Sequence, residues 1–317
     1  MSAGSGTLGA VKPALRAGLL PLWRDRDTVQ IGIDPRRAIA VSGMSGAAAV
    51  IRLLDGSRDR GQLVAEAEHC GVPAAVTERI LTVLAASGVL VDHPVATLRA
   101  IAPELRRELM PVLATASLSE RDGDGGARLL ARRSSMTVQL RGSGLVAASL
   151  ADLLTRSGLA VRRGEPPQTR RGSDPDLLVL VGRQLPDRTA ELLGTPVPHL
   201  GVYADEAIGV VGPFVQPGGT ACLRCIDLAR TERDPAWPLI LAQLADRAAD
   251  PPACDPVLAT SVAAQAAAQV IAFADRSVAP AATANGTLEL VLPSWQWRRR
   301  TWLPHLACAC GSYAEAS

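Results

Sequence analysis

The sequence predicts an α/β protein in two pieces, a small winged-helix-like unit in front and a doubly wound, Rossmann-like sheet behind it. Two observations predict this. Residues 28–41 hold two short alternating runs on either side of a turn at Pro35, and three short helical patterns follow, each closed by a glycine. Beyond residue 135 strand and helix patterns alternate, which calls for right-handed parallel crossovers.

The front unit is placed at 18–94. Val29, Ile31 and Ile33, then Ile39 and Val41, mark the two arms of a hairpin, and Gly56, Gly71 and Gly88 end the three helices. Residues 95–130 read as one more helix and a linker, because "SERDGDGGARLLARRS" is polar and rich in Gly and Asp. Residues 131–317 carry the sheet. "MTVQL" is a strand, the helix after it puts Leu145, Leu150, Leu153 and Leu154 on one face, and "LLVLV" is a strand of the fully buried kind. Two more strands, a helix from "ACLRC", a long alanine-rich helix and a closing hairpin complete the list.

Composition narrows the function classes. A chain of 317 residues with 48% hydrophobic content can build two cores, and a net charge of +2 supplies no general attraction to nucleic acid or to an anionic membrane. "RRR" at 298–300 is a local basic cluster. The third helix of the front unit carries too little positive charge to read DNA, so nucleic acid is not an expected partner. No apolar run reaches the roughly 20 residues that cross a bilayer, and the N-terminus lacks a signal-peptide core, so no membrane contact and a cytoplasmic location are expected. Lys12 is the only lysine and lies in what reads as a flexible tail. Schiff-base chemistry or a lysine grip on phosphate is therefore not expected.

"VQLRGSGLVA" has the grammar of a nucleotide-binding turn: a strand, Gly142-x-Gly144-x-x-Ala147, then a helix N-terminus. The same glycines also serve simply to let a helix pack on a sheet. The second strand ends in Arg162 and Arg163, with Glu165 beyond them, where a dinucleotide site wants an acid for the ribose; after "LLVLV" stand Gly182 and Arg183, not a carboxylate. Gly142 and Gly144 remain as weak cofactor-binding candidates, and ATP with magnesium is not expected.

Six cysteines sit in the chain. Cys70 and Cys254 read as unpaired packing residues. Cys222-x-x-Cys225 and Cys308-x-Cys310 are two close pairs far apart in sequence, and four thiolates about 2.3 Å from one ion make a closed structural zinc site. A redox pair at 222 and 225, four unbonded core cysteines, or an open zinc with His305 as a ligand are the alternatives.

These residues resemble a known family. The strand, the "GSGLVA" turn, the alternating sheet and "GPFVQPGGTACLRCIDLARTERDPAW" with a second cysteine pair, over about 135–312, resemble the ThiF and ubiquitin-activating enzymes. That resemblance implies adenylation of a small protein's C-terminus with ATP and magnesium, often beside a four-cysteine structural zinc. The missing acid, lysine and magnesium carboxylate imply a degenerate member without that activity. An active adenylating enzyme acting on a peptide or protein carboxylate is the runner-up.

The front unit, "PLWRDRDTVQIGIDPRRAIAVSG" and the helices after it, resembles the PqqD-type domain that binds the leader of a precursor peptide. The resemblance implies that the leader adds a strand along Arg37, Ile39 and Val41 and lays apolar side chains against Val76, Ile80, Val83 and Leu84. Core packing is the competing account of the apolar ones. Such a domain fused to a ThiF-like body is similar to the partner proteins of YcaO-type cyclodehydratases, which implies an adaptor that recruits a precursor peptide to a separate modifying enzyme. A homodimer through the alanine-rich helix near 260 is a further expectation.

Overall fold

The computed structural model describes residues 11–25, 28–43, 45–93, 101, 103–120, 123–164, 174–183, 192, 195–246, 252–276, 278 and 280–310. Glu165 and parts of the expected helix near 97 lie outside them. The chain forms two compact units, 1–131 and 132–317, each with its own core.

In the first unit β1 (Pro13–Leu15) pairs antiparallel with β5 (Leu90–Asp92), while β2 (Pro21–Trp23), β3 (Thr28–Ile31) and β4 (Ile39–Ser42) form an antiparallel sheet in that order. The sequence shows the β3–β4 hairpin and hides β1 and β2. Both are three residues long and begin with proline, and β2 is exposed throughout, so neither has a period to read. Ile33 lies past the end of β3 and is exposed. Lys12 is not in a loose tail: its backbone N–H donates to Asp92 Oδ1 at 3.0 Å and its ammonium to the Ser57 carbonyl at 3.1 Å.

Helices α1 (Ala47–Leu53), α2 (Arg60–His69) and α3 (Ala74–Ala86) pack on one another, and α3 packs on β5. Asp59 and Gln62 close a capping box at the start of α2, which fixes where that helix begins. Cys70 is the exposed C-cap of α2, not a packing residue. Val41, Ile80 and Leu84 fill the core with Val29, Ile31 and Leu63. Alternation explains Val41, which points inward in register with Val29 across the ladder.

The expected helix of this stretch is α4 (Pro103–Glu120), and the stretch expected as linker forms a second helix, α5 (Ala127–Ser135). Leu130 of α5 is buried against Leu109 and Leu113 of α4, and the Gly-Asp turn before it masked this short amphipathic stretch. The buried guanidinium of Arg16 donates from Nε to the Gly88 carbonyl at 3.0 Å and from Nη1 to Ser117 Oγ at 2.7 Å, joining β1 to α4.

The second unit is built on seven strands, β6 (Thr137–Arg141), β7 (Ala160–Arg163), β8 (Leu177–Val181), β9 (His199–Asp205), β10 (Ile208–Val215), β11 (Gly286–Val291) and β12 (Gln296–Thr301). Their spatial order is β12-β11-β10-β9-β8-β6-β7. Only β7, β6, β8 and β9 are mutually parallel; β10, β11 and β12 join antiparallel, so the sheet is mixed and only half of it is doubly wound. All five residues of β8 are buried, as its unbroken apolar run requires.

One face carries α6 (Gly144–Arg156) and α9 (Pro256–Arg276), packed closely on each other; the opposite face is covered by α7 (Leu223–Arg233) and α8 (Trp237–Asp246). Leu150 and Leu154 of α6 are fully buried but Leu145 is 51% exposed. At 100° per residue Leu145 and Leu154 lie on opposite sides of a helix, so the inward residues one turn earlier are Val146 and Ala147. By length and composition α9 could cross a membrane, yet Val262, Ala263, Ala266 and Val270 are fully buried in the unit's core. Ala264 and Ala268 of the same helix stay exposed. The helix α8 was not foreseen as separate from α7.

Arg133 and Asp275 form a buried bidentate pair, 2.7 Å at both Nε and Nη2, that ties α5 to the end of α9. Removing one member leaves a buried charge alone, so Asp275→Asn is expected to lower stability by about 3 kcal/mol. Chemical denaturation, compared with the exposed pair variant Asp152→Asn, checks this; an equal loss from both would refute it.

Candidate functional site

The first candidate site is the crevice where the strand order reverses, between the carboxyl ends of β6 and β8 with β9 alongside. It is a cleft lined by Ser143, Gly144, Gly182, Arg183, Tyr203 and Asp205, among others. Gly142 and Gly144 are both left-handed, at φ 117° and 86°. Their roles differ. A Cβ on Gly142 would lie 2.2 Å from the Val181 carbonyl oxygen, so this glycine lets the loop press against β8, whereas a Cβ on Gly144 meets nothing within 4 Å. Gly142→Ala should therefore cost about 2 kcal/mol and Gly144→Ala about 1 kcal/mol, from backbone conformation alone. Thermal melts of the two variants check the ranking; the reverse order would contradict it.

Arg183 takes the place where a metal-binding carboxylate was looked for. Its Nε donates to Asp205 Oδ2 at 2.9 Å, its Nη2 to Glu206 Oε2 at 2.8 Å, and the guanidinium lies 5.3 Å from the centre of the Tyr203 ring. Burial opposes the Asp205 charge, but the Arg183 hydrogen bond and the Ala253 N–H outweigh it and hold this carboxyl below its ordinary value. The two acids arrive through the β9–β10 hairpin, where Glu206 and Ala207 are both left-handed, at φ 52° and 58°. A non-glycine pair in that conformation carries strain, which the two ion pairs offset. "ADEA" gave no sign of this, because neither the turn type nor the partner is written in the local pattern. The strand β7 ends in exposed Arg162 and Arg163.

The second candidate site is the cysteine cluster. Cys222 is the N-cap of α7 and Cys225 lies in its first turn, so both sulfurs sit at the positive end of a helix, which favours thiolates. Cys308 and Cys310 come from the coil after β12, where the Cys308 N–H donates to the His305 carbonyl at 2.9 Å. The four sulfurs lie within 4.8 Å of one another. Neighbours are separated by 3.7 Å (Cys222–Cys225), 3.6 Å (Cys222–Cys308) and 3.6 Å (Cys225–Cys310). A tetrahedron with metal–sulfur bonds of about 2.3 Å has edges of about 3.8 Å, so the donor set fits zinc. These spacings are far too long for disulfides, whose sulfurs are about 2.05 Å apart.

The hydrogen bond from Cys222 pulls the Cys225 thiol down to about 5, and the same bond pushes Cys222 well above its ordinary value; burial pushes Cys308 up to about 11. A bound cation would stabilise all four sulfurs as thiolates. His305 is not a ligand. Its Nδ1 accepts from the Ala307 N–H at 3.1 Å and its Nε2 donates to Glu232 at 3.0 Å. Around the sulfurs pack Val215, Ala221, Ile226 and Trp302. The "RRR" run does structural work beside them: Arg299 donates to the Ala282 and Ala284 carbonyls and Arg300 pairs with Glu289 at 3.3 Å. Cys254 lines the crevice and is half-buried.

Of the expected peptide-contact residues, β4 forms one edge of its sheet, with no strand on its outer side among the described residues. Ile39, Val76 and Val83 are half-buried, while Val41, Ile80 and Leu84 are enclosed. Arg37 is exposed and donates to the Leu118 carbonyl at 3.1 Å.

Comparison of the sequence with known protein families and with curated proteins finds no match. Solved structures do share the fold. The heterocyclase TruD matches 95% of this chain with TM-score 0.66 at 18% identity, and a heterocyclase in complex with substrate and cofactor matches 96% with TM-score 0.66 at 18% identity. The chain spans 43% and 40% of those two chains. The microcin C7 biosynthetic enzyme MccB of E. coli, in complex with AMPCPP and MccA, matches 95% of this chain and 99% of its own length, with TM-score 0.61 at 12% identity. The chain therefore shares its fold with TruD and MccB.

Proposed function

We propose that this chain is a leader-peptide-binding adaptor in the biosynthesis of ribosomally made, modified peptides. The first unit takes the leader of a precursor peptide along the free edge of β4, by backbone hydrogen bonds and by apolar contact with the half-buried side chains of α3. The second unit, stapled by zinc on Cys222, Cys225, Cys308 and Cys310, is a scaffold. Its role is to raise the local concentration of the bound precursor at a separate modifying enzyme of the YcaO cyclodehydratase type. Likeness in fold to a heterocyclase and to MccB, seen with MccA, supports a place in peptide modification.

The observation that carries the adaptor reading over an adenylating one is Arg183. Its guanidinium, held by Asp205 and Glu206, stands in the crevice where adenylation needs a carboxylate to hold magnesium, and β7 offers two arginines where the ribose needs an acid. The AMPCPP complex of MccB favours the second reading, an ATP-dependent adenylating enzyme. Two measurements on the full chain separate them. The adaptor binds a cognate leader peptide in a calorimetric titration and catalyses no ATP–pyrophosphate exchange with the precursor present; exchange above the protein-free rate would establish the second reading instead.

A further inference from the structure

Strand β12 ends the seven-strand order, and its outer side has no partner among the described residues. All six of its residues pair with β11 in one unbroken register, which leaves about 20 Å of edge with neither the proline nor the bulge that blunts many natural edges. One hydrogen bond fixes which amides face out. The Trp302 N–H donates to the Asn285 carbonyl at 2.9 Å and so continues the ladder to β11; the amides of Arg300 and Arg298 then also face β11, and those of Trp297, Arg299 and Thr301 face outward.

The arginines of this edge differ in what holds them. Arg299 folds back over Gly286, where its Nη2 donates to the Ala284 carbonyl at 3.0 Å and its Nη1 to Thr301 Oγ1 at 2.8 Å. Arg300 pairs with Glu289 at 3.3 Å, yet half of its side chain stays exposed. Arg298 is exposed, lies on the same face as Arg300 and has no hydrogen bond or ion pair among the described residues. Glu289 is opposite it in register but is taken by Arg300 and by the Thr287 hydroxyl, which donates at 3.1 Å. The positive face runs on past the strand: the guanidinium groups of Arg300 and of Arg233, at the end of α7, lie 5.5 Å and 5.9 Å from the centre of the Trp302 ring.

We propose that β12 is a docking edge for an acidic, extended segment of the modifying enzyme, which accepts from the outward amides of Trp297, Arg299 and Thr301 and sets carboxylates against Arg298 and Arg300. The source of the segment rests on the adaptor reading, in which the leader takes β4 and a second surface must hold the enzyme that is served. Charge decides against the other occupants. A basic segment meets the unpaired Arg298. A second copy of this chain, paired antiparallel on the same edge, sets arginine opposite arginine in every centred register, which is unfavourable.

The test uses the full chain and a short fluorescein-labelled peptide of alternating Glu and Thr, read by anisotropy and by amide exchange. A Lys–Thr peptide of the same length and a poly-uridine oligonucleotide serve as comparisons. The acidic peptide is expected to bind at least about tenfold more tightly than the basic one and to weaken as salt is added. It slows exchange at Trp297, Arg299 and Thr301 by at least about tenfold and changes Arg298 and Arg300 little. Arg298→Ala, at an exposed position, lowers its affinity about fivefold with an unchanged melt, and Val83→Asp in the first unit leaves it unchanged. The purified modifying enzyme, added unlabelled, displaces the peptide. Equal binding of the basic peptide, tighter binding of the oligonucleotide, indifference to Arg298→Ala, slowing confined to other strands, or an enzyme that leaves the peptide in place overturns the proposal. Displacement by the precursor peptide and not by the enzyme also overturns it. A leader that fails to slow the β4 amides is a separate result, which removes the adaptor reading and is measured on residues that this titration does not touch.

Discussion

Cys225→Ser is expected to take bound zinc from about one ion per chain to near none and to lower the melting temperature of the second unit by on the order of 10 °C. Cys225 is fully buried, and its sulfur, like that of Cys222, has two thiol neighbours, Cys222 at 3.7 Å and Cys310 at 3.6 Å. A serine there removes a soft ligand and leaves three sulfurs, which hold zinc poorly. The cluster also ties the coil after β12 to the start of α7, two segments that no strand pairing joins. Losing the ion frees that coil. An isolated zinc module gains most of its folding energy from the metal, but here the sheet persists without it, so about 4 kcal/mol is the expected share. Elemental analysis and melts with and without a chelator decide it, with Cys70→Ser, at an exposed helix end, as the neutral control. A parent protein that carries no zinc after metal-free purification and reloading would remove the zinc assignment.

How far this site was legible from sequence follows from what each part depends on. The cysteine pairs could be read because ligand type and short spacing are local facts, and the fold only had to bring two such facts together. The crevice could be half read. A strand, a glycine turn and a helix announce themselves, but the Arg183–Asp205–Glu206 set depends on the left-handed turn at Glu206 and Ala207, and nothing in those residue types asks for it. The same limit explains the sheet. Alternating patterns gave β6 to β9, whereas the antiparallel direction of β10 follows from a two-residue hairpin that the apolar run "AIGVVGPFV" conceals. In the first unit β4 was visible through Ile39 and Val41, but burial sorted the residues of α3, and a single helical period cannot say which apolar face looks at the core and which at its margin.

Val83→Asp is expected to weaken leader binding by about a hundredfold, ~2.7 kcal/mol, with little change in the melt. Val83 is half-buried, one helical turn from Ile80 and beside Leu84, which are both fully enclosed, so it sits where α3 leaves the core. An aspartate there stays hydrated in the free protein and is desolvated only when an apolar leader side chain covers it. Ile80→Asp would instead unfold the unit and prove nothing about binding. Backbone exchange supplies the independent measurement. In an antiparallel sheet alternate amides point to opposite sides of a strand, so on the edge strand Ile39–Ser42 every second N–H faces away from β3. Those amides exchange freely without a leader and should slow by at least about tenfold with one bound, while the inward set changes little. Slowing at Pro21–Trp23, the opposite edge, would move the peptide to β2; no slowing at either edge would show that strand addition is not how this unit holds its ligand.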